Sequence, residues 1–396
     1  MYLLSDSELL LLSNFIYLNL DTFKEKSVKK IINDILYKGK LNQAILTNGE
    51  CKEVVKKSEW ISIIEQIYND SNLMKLKIEY IETDTNGVKT ATFIYKDSIT
   101  VVFRGTKTLH EWGDNGEGAY KIDTSEQIKA LNYINNIPYK NIVVTGHSKG
   151  GNKAKYVTLL SDKVNKCISF DGQGFSNEFI NKYKNEILKN KNKIISISAK
   201  YDYVNCLLNS IDEKKIYIYT ELQKNPFYYH KAGIMLDGNG TLRAETEQAF
   251  FSNIINEFSI YVISELPEPH KSFVINSLTV IVELFLCGNS INKNILEIVK
   301  GTLLLFDYTK HYKLKNEFSI AYNLLLSITF PLVFWNDFIK IDESNSKENL
   351  ENTLLKIKNY QNNIIYKLRK LGIEGEKVAI LIDDATNKLL YKFKNI

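Results

Sequence analysis

The segment Val143–Tyr156, VVTGHSKGGNKAKY, most narrowly constrains what this chain can fold into. Residues 141–145 contain the uninterrupted apolar run Ile142, Val143 and Val144, which predicts a strand buried on both faces of a parallel sheet. The motif Gly-His-Ser-Lys-Gly at 146–150 follows, and a helix is predicted from about residue 150 to residue 164. A strand that leads through glycines directly into a helix needs close approach of the two backbones. The segment therefore predicts an α/β layered fold.

Strand and helix patterns alternate on both sides of this turn. Residues 75–83 and 90–95 flank the turn signal Asp-Thr-Asn-Gly at 84–87, which predicts a β-hairpin. The other predicted elements are strands at 99–103, 167–170, 194–198 and 215–219, and helices at 125–137 and 178–189. This alternation predicts a mostly parallel sheet flanked by helices.

The strand pattern stops near Thr246, and this change divides the chain into two predicted parts. Residues 1–246 hold N-terminal helices followed by the α/β sheet, whereas residues 247–396 are predicted to be helical. Two apolar stretches, 272–287 and 318–338, are interrupted by polar residues or proline, which favours buried core helices over membrane spans.

Apolar residues between Leu350 and Leu371 recur at steps of four and three, with Gln361 as one polar interruption. This spacing is typical of a helix packed on its own domain and also of an intermolecular coiled coil. Packing within the domain is favoured, and the oligomeric state is left open.

The charge and cysteine content argue against several classes of function. The chain has 396 residues and a net charge of +5 from 51 basic and 46 acidic residues, which is a poor basis for nucleic-acid binding. The four cysteines lack Cys-x-x-Cys spacing, so reduced thiols in a cytoplasmic protein are expected rather than a zinc site. No metal-ligand or cofactor motif is present, so no cofactor is predicted.

Ser148 lies at the centre of a Gly-x-Ser-x-Gly motif between a predicted strand and a predicted helix. That context is expected of a nucleophile elbow, in which the serine hydroxyl projects from a strained turn. The following helix N-terminus favours negative charge that develops nearby. We interpret Ser148 as a nucleophile, and a tight turn without catalytic role is the alternative.

A serine nucleophile needs a base that accepts its proton. His230 follows the last predicted strand of the α/β part, whereas His270 and His311 lie in the helical region. His110 precedes the serine in a glycine-rich loop, and His147 is adjacent to the serine and is expected to serve packing or hydrogen bonding. His230 is therefore the predicted base.

The acid that orients this histidine should end a strand between serine and histidine. Asp202 fits that place, and Asp171, which ends the preceding strand, is the less favoured alternative. An oxyanion needs two preorganised donors. The predicted donors are the backbone N–H of Lys149 and a group of Thr106, which follows an earlier strand.

Three stretches together resemble a known family: VVFRGT at 101–106 followed by Trp112, TGHSKGGN at 145–152, and SFDGQGF at 169–175. They resemble class 3 lipases and, more closely, a related bacterial domain-of-unknown-function family, over about residues 4–237. The resemblance implies an α/β-hydrolase-like fold and an esterase or lipase-like hydrolase.

The same resemblance implies Ser148 as nucleophile, Asp202 as acid, and Thr106 and Lys149 at the oxyanion hole. Relatives carry a histidine shortly before a Pro-Phe segment, where this chain has Lys224, so His230 would substitute for it.

Three hypotheses of function follow. The first is a serine hydrolase that cleaves acyl or lipid esters. The second is an inactive hydrolase fold that binds a partner through its helical C-terminal region. The third is an acylhydrolase that docks on a membrane surface through that region. Trp112, among glycines in the loop 107–121, is interpreted either as part of a lid over an acyl pocket or as a surface residue without a role.

Overall fold

A computed structural model gives the fold of most of the chain. The described residues are 4–23, 26–45, 55–84, 87–106, 114, 116–266, 271, 274–275 and 315–395. Several sequence-based predictions concern residues outside these ranges. They are the predictions for the apolar stretch 272–287, apart from residues 274–275, and those for His110, Trp112, His270 and His311. Cys51 and Cys287 also lie outside the described residues. All strands of the predicted sheet and the serine turn lie within them.

One sheet of eight strands forms the centre of the fold, and its strands lie in the order of the sequence. They are β1 (Lys77–Asp84), β2 (Gly87–Tyr95), β3 (Ser98–Phe103), β4 (Ile142–His147), β5 (Val164–Phe170), β6 (Ile194–Ala199), β7 (Lys214–Ile218) and β8 (Glu245–Thr246). Strands β3 to β7 run parallel, and β1, β2 and β8 pair antiparallel with their neighbours. The parallel centre confirms the α/β prediction.

The α-helices precede the sheet, connect its parallel strands and follow it. They are α1 (Asp6–Phe15), α2 (Val28–Tyr37), α3 (Leu41–Ile45), α4 (Lys57–Asn69), α5 (Ser125–Asn136), α6 (Lys149–Leu160), α7 (Asn177–Lys182), α8 (Lys184–Asn190), α9 (Ser252–Glu265), α10 (Lys315–Val333), α11 (Trp335–Ser344), α12 (Lys347–Arg369) and α13 (Ile373–Lys394). Helix α1 begins at a capping box, in which the Ser5 side chain accepts from the Glu8 N–H and the Glu8 carboxylate accepts from the Ser5 N–H.

Among the described residues, several details differ from the sequence-based prediction. Helix α6 ends at Leu160 and β5 begins at Val164, whereas the helix is predicted to continue to about residue 164. The single helix expected at 178–189 is two helices, because Tyr183 leaves helical geometry at φ −105° and ψ 25° between α7 and α8. Strand β8 is two residues long and pairs with the edge of β7. Two residues carry no alternation that a sequence pattern could reveal.

Three apolar cores hold the layers together. On one face of the sheet, α1, α2 and α4 cover residues such as Phe93 and Ile168. On the other face, α5 and α6 cover residues such as Val101 and Val144. The third, which we call the C-terminal core, joins Tyr201, Tyr203, Phe227 and Tyr229 to helices α9 to α13. The predicted division at residue 246 is thus crossed by one continuous core.

The apolar stretch 318–338 forms most of α10 and the beginning of α11. By length and composition alone Ser319–Ser344 could cross a membrane, and 67% of its most apolar window is buried inside the protein. The burial of Leu324, Leu325 and Phe330 agrees with the prediction of core helices.

Helix α12 carries the repeat of four and three predicted from Leu350 to Leu371. It buries Leu354, Ile357 and Leu368 in the C-terminal core, against neighbouring helices that include α13. Gln361 is also buried, and its Nε2 donates to the Ser327 carbonyl at 3.4 Å. This packing confirms the favoured interpretation of the repeat as a helix packed on its own chain.

Candidate active site

Ser148 occupies the turn between β4 and α6. Its backbone has φ 59° and ψ −125°, a conformation that residues other than glycine rarely adopt. The Ser148 N–H donates to the Phe170 carbonyl at 2.8 Å, so the neighbouring strand β5 holds the strained residue in place. The strain is local to this serine and directs its side chain away from the regular path of the strand.

Glycines at 146 and 150 make this turn possible. A Cβ at Gly150 would collide with the backbone carbonyl of Phe103 on β3, and a Cβ at Gly146 would lie 2.5 Å from the same oxygen. Real Cβ atoms do not approach so closely, and the backbone of β3 cannot move aside like a flexible side chain. The two glycines of the motif are therefore required by backbone contact.

His230 meets the serine from a distant part of the chain. It ends a 3₁₀-helix, Pro226–His230, whose start is capped by the Asn225 side chain accepting from the Phe227 N–H. The His230 Nε2 lies 2.8 Å from Ser148 Oγ, and its Nδ1 lies 2.7 Å from Asp202 Oδ1. These three side chains form a continuous hydrogen-bonded row.

Asp202 follows β6 and is fully buried. Its Oδ2 accepts from the backbone N–H of Asn205 at 2.8 Å and from the Asn205 side chain at 3.0 Å, which leaves Oδ1 for His230. An ionised carboxylate only accepts hydrogen bonds, so His230 donates from Nδ1 and keeps a lone pair on Nε2. That lone pair faces the Ser148 hydroxyl and can accept its proton.

Aromatic side chains enclose His230. The ring of Tyr203 lies 5.7 Å from the His230 ring, and Trp335 packs edge-on against Tyr203 at 6.4 Å. Trp335 also donates from Nε1 to the Tyr201 carbonyl at 3.0 Å. The helical C-terminal region therefore supports the segment that carries Asp202, and Ser148 and His230 are each only 6% exposed.

Both predicted oxyanion residues lie close to the serine in the chain or in space. Lys149 is the first residue of α6, where a backbone N–H has no acceptor within its helix. Thr106 follows Gly105, and a Cβ built at Gly105 would lie 3.3 Å from Ser148 Cβ. The loop after β3 thus passes directly beside Ser148.

The Lys149 side chain does not point to solvent. Its ammonium lies 2.7 Å from the Asp114 carboxylate and 3.2 Å from the Asp114 carbonyl, and both side chains are more than 90% buried. Burial acts to raise the pKa of Asp114, but the Lys149 charge, the Glu126 N–H and the Thr124 hydroxyl together lower it. The charge of Lys149 is therefore neutralised by the protein itself.

Residues 68–262 match the profile of the Mbeg1-like family. This is one of the class 3 lipase-like families, so the match indicates at most a lipase-like hydrolase. The matched segment includes Ser148, Asp202 and His230. A search of curated proteins finds no match to this chain.

A second histidine–aspartate pair lies beside the first, and sequence reasoning missed it. The alternative acid, Asp171, has its Oδ2 at 3.7 Å from His147 Nε2. Burial and the neighbouring Asp202 carboxylate raise the pKa of Asp171 well above its usual range, and burial and His230 lower the pKa of His147. The structure thus brings Asp202, not Asp171, into hydrogen-bond contact with His230.

His147, Asp171 and His230 also form a group that could hold a metal ion. One ligand atom from each lies within 4.8 Å of the others, and all three residues are buried. Their positions at 147, 171 and 230 have no metal-ligand spacing, so no sequence motif could reveal the group. The only sequence signal was the position of Asp171 at the end of a parallel strand next to β4.

Proposed function

We propose that this protein is a serine hydrolase that cleaves carboxylic esters of acyl or lipid type through Ser148, His230 and Asp202. The observation that carries the proposal is the row of contacts at 2.8 Å and 2.7 Å from Ser148 Oγ through His230 to Asp202. The strained backbone of Ser148 and the lipase-like family match support it independently.

In the proposed reaction, Ser148 Oγ attacks the ester carbonyl carbon while its proton moves to His230 Nε2. The Asp202 carboxylate, which accepts from Nδ1, stabilises the imidazolium that forms. His230 then gives the proton to the oxygen of the leaving alcohol, and the acyl group stays on Ser148. Water, deprotonated by the same Nε2, releases the acid and restores the serine.

The negative oxygen of the tetrahedral intermediate is proposed to lie between the Lys149 N–H and Thr106. The position of Lys149 at the start of α6 supports this role, because the helix N-terminus supplies a free donor and a favourable dipole. Removal of one such donor typically lowers the rate by roughly 100- to 1000-fold. The buried ion pair with Asp114 leaves the Lys149 ammonium without a role in binding an anionic substrate.

A fluorophosphonate probe, which labels activated serines, tests the proposal. Wild type should be labelled, Ser148→Ala should not, and His230→Gln should be labelled roughly 10²- to 10⁴-fold more slowly, the usual contribution of a general base. Ser210→Ala, at an exposed serine, is the matched control and should react like wild type. Equal labelling of wild type and His230→Gln would refute the proposed base.

Burial of the serine favours one alternative, a hydrolase fold without turnover that binds a partner or a membrane surface through its helical C-terminal region. Ser148 and His230 are each 6% exposed, and the C-terminal core packs against their supporting residues. This alternative predicts no labelling in any variant and flotation of the protein with liposomes or capture by a partner.

If the wild-type protein is labelled, a panel of acyl esters of increasing chain length identifies the substrate.

A further inference from the structure

Two of the buried polar atoms that have no hydrogen-bond partner face each other beside the candidate active site. They are His147 Nε2 and Asp171 Oδ2, which lie 3.7 Å apart on residues that are 5% and 0% exposed. Buried polar atoms without partners are uncommon and lower the stability of a fold, so a pair of them facing each other indicates a site for a ligand between them.

We propose that His147, Asp171 and His230 form a site for a divalent transition metal of the Zn²⁺ class, and that metal binding there silences the proposed hydrolase. Two imidazoles and a carboxylate suit zinc, whereas magnesium and calcium prefer oxygen ligands. Neighbouring ligands of a tetrahedral zinc lie about 3.3 Å apart, given metal–ligand bonds of about 2.0 Å. His147 Nε2 and Asp171 Oδ2 lie 3.7 Å apart, close to that value. One ligand atom from each of the three residues lies within 4.8 Å of the others, so binding would draw the group together.

The outer atoms of all three residues are already fixed, as metal ligands require. The Tyr17 hydroxyl lies 3.3 Å from His147 Nδ1, and Asp202 Oδ1 lies 2.7 Å from His230 Nδ1. The Ala199 N–H donates to Asp171 Oδ1 at 2.9 Å. Histidine ligands usually donate their second N–H to such partners. This leaves His147 Nε2 and Asp171 Oδ2 free to bind metal, whereas His230 Nε2 would bind metal in place of its contact with Ser148 Oγ.

Metal binding and activation of Ser148 exclude each other. A neutral imidazole has one lone pair, and on His230 it lies on Nε2, where it faces Ser148 Oγ at 2.8 Å. A metal that takes this lone pair leaves the serine without its base. Binding through Nδ1 instead would break the contact with Asp202, so either mode removes the catalytic row.

The test measures metal binding and labelling separately, because the inhibition rests on the proposed function whereas binding does not. Metal-free protein is titrated with Co²⁺, whose visible absorption reports four-coordinate binding, and then with Zn²⁺ while fluorophosphonate labelling is followed. At 100 times its dissociation constant, Zn²⁺ should slow labelling by about 100-fold, and a chelator should restore the metal-free rate. Mg²⁺ at the same concentration should have no effect.

Variants of the site decide the assignment. His147→Gln and Asp171→Asn should each raise the Zn²⁺ concentration for half-inhibition at least tenfold relative to wild type, and Tyr17→Phe, which keeps all three ligands, by about tenfold. Asp162→Asn, at an exposed aspartate, is the control and should behave like wild type.

Equal Zn²⁺ sensitivity in all variants, or a Co²⁺ spectrum that survives His147→Gln, would overturn the metal site. If wild type binds Co²⁺ through these residues but is never labelled, the metal site stands and the proposed hydrolase fails. If labelling is normal and Co²⁺ does not bind, the hydrolase stands and the metal site fails.

Discussion

Ser148 has two differently built sides. On one, which we call the nucleophile side, strands β3, β4 and β5 and helix α6 hold the serine through backbone contacts, with Gly146 and Gly150 packed on the Phe103 carbonyl. On the other, the acid–base side, Asp202 and His230 are held by side-chain packing against the C-terminal core. The nucleophile side is held by neighbouring elements of the sheet. The acid–base side is held by helices that begin at Ser252, more than 100 residues after Ser148.

Because the two sides are held by different contacts, mutations on them should have different effects. Backbone contacts of a strand and a helix do not adapt to added volume, so a change on the nucleophile side should prevent folding. Side-chain packing adapts in part, so a change on the acid–base side should leave a folded protein with altered activity.

The largest effect should come from Asp202→Asn on the acid–base side. An amide cannot hold His230 in the tautomer that accepts the serine proton, so kcat should fall about 10⁴-fold while the protein stays folded. Asp171→Asn is the matched control and should keep kcat within about tenfold, because Asp171 lies beside His147 and accepts from the Ala199 N–H, whereas Asp202 contacts His230. Ester hydrolysis and circular dichroism measure both; the reverse ranking would make Asp171 the acid.

The next effect should come from Gly150→Ala on the nucleophile side. The added Cβ collides with the Phe103 carbonyl, so we expect a loss of more than about 4 kcal/mol in the free energy of unfolding and little soluble protein. Gly238→Ala, where a Cβ meets nothing within 4 Å, should express normally. Soluble yield and urea unfolding measure the difference, and a stable Gly150→Ala protein would show that this turn adapts after all.

A smaller effect should follow Asp114→Asn, which leaves the buried Lys149 ammonium without its partner. We expect about 3 kcal/mol lower free energy of unfolding at neutral pH. Because folding lowers the pKa of Asp114, the pair stabilises the fold above the ordinary aspartate pKa, and this contribution disappears as pH falls through the lowered value.

The difference between wild type and Asp114→Asn should therefore be equal at pH 7 and pH 5 and shrink below about pH 4. Urea unfolding at each pH measures it. Asp97→Asn, at an exposed turn residue, serves as control and should follow wild type at every pH. A difference that grows in acid would contradict the ion pair as the stabilising contact.

The smallest effect should come from Trp335→Phe on the acid–base side. The buried Tyr201 carbonyl loses its donor, which typically costs about 1–3 kcal/mol, and Tyr203 loses part of its packing beside His230. We expect lower kcat with little change in KM. Trp60→Phe is the control and should leave kcat unchanged, because Trp60 packs against the core under helices α1, α2 and α4. Equal kinetics for both variants would show that the C-terminal core does not help to position His230.

The sequence alone determined the nucleophile side because its information is local. An apolar strand and glycines at fixed spacing around Ser148 predict a strand–turn–helix unit, since each residue type is required by contacts within or next to that unit. The same local patterns gave the hairpin of β1 and β2 and the alternation that produces the parallel sheet.

Which distant side chains meet depends on how the strands and helices pack together. The order of residues in the sequence predicted His230 as the base and favoured Asp202 over Asp171 as the acid. Which histidine each aspartate contacts depends on how β5 and β6 end and on how the C-terminal helices pack. No sequence motif predicts the pairing of His147 with Asp171 or the ion pair of Lys149 with Asp114, because each joins residues with no characteristic spacing. Contacts between distant segments form when the core closes, and no stretch of sequence records them by itself.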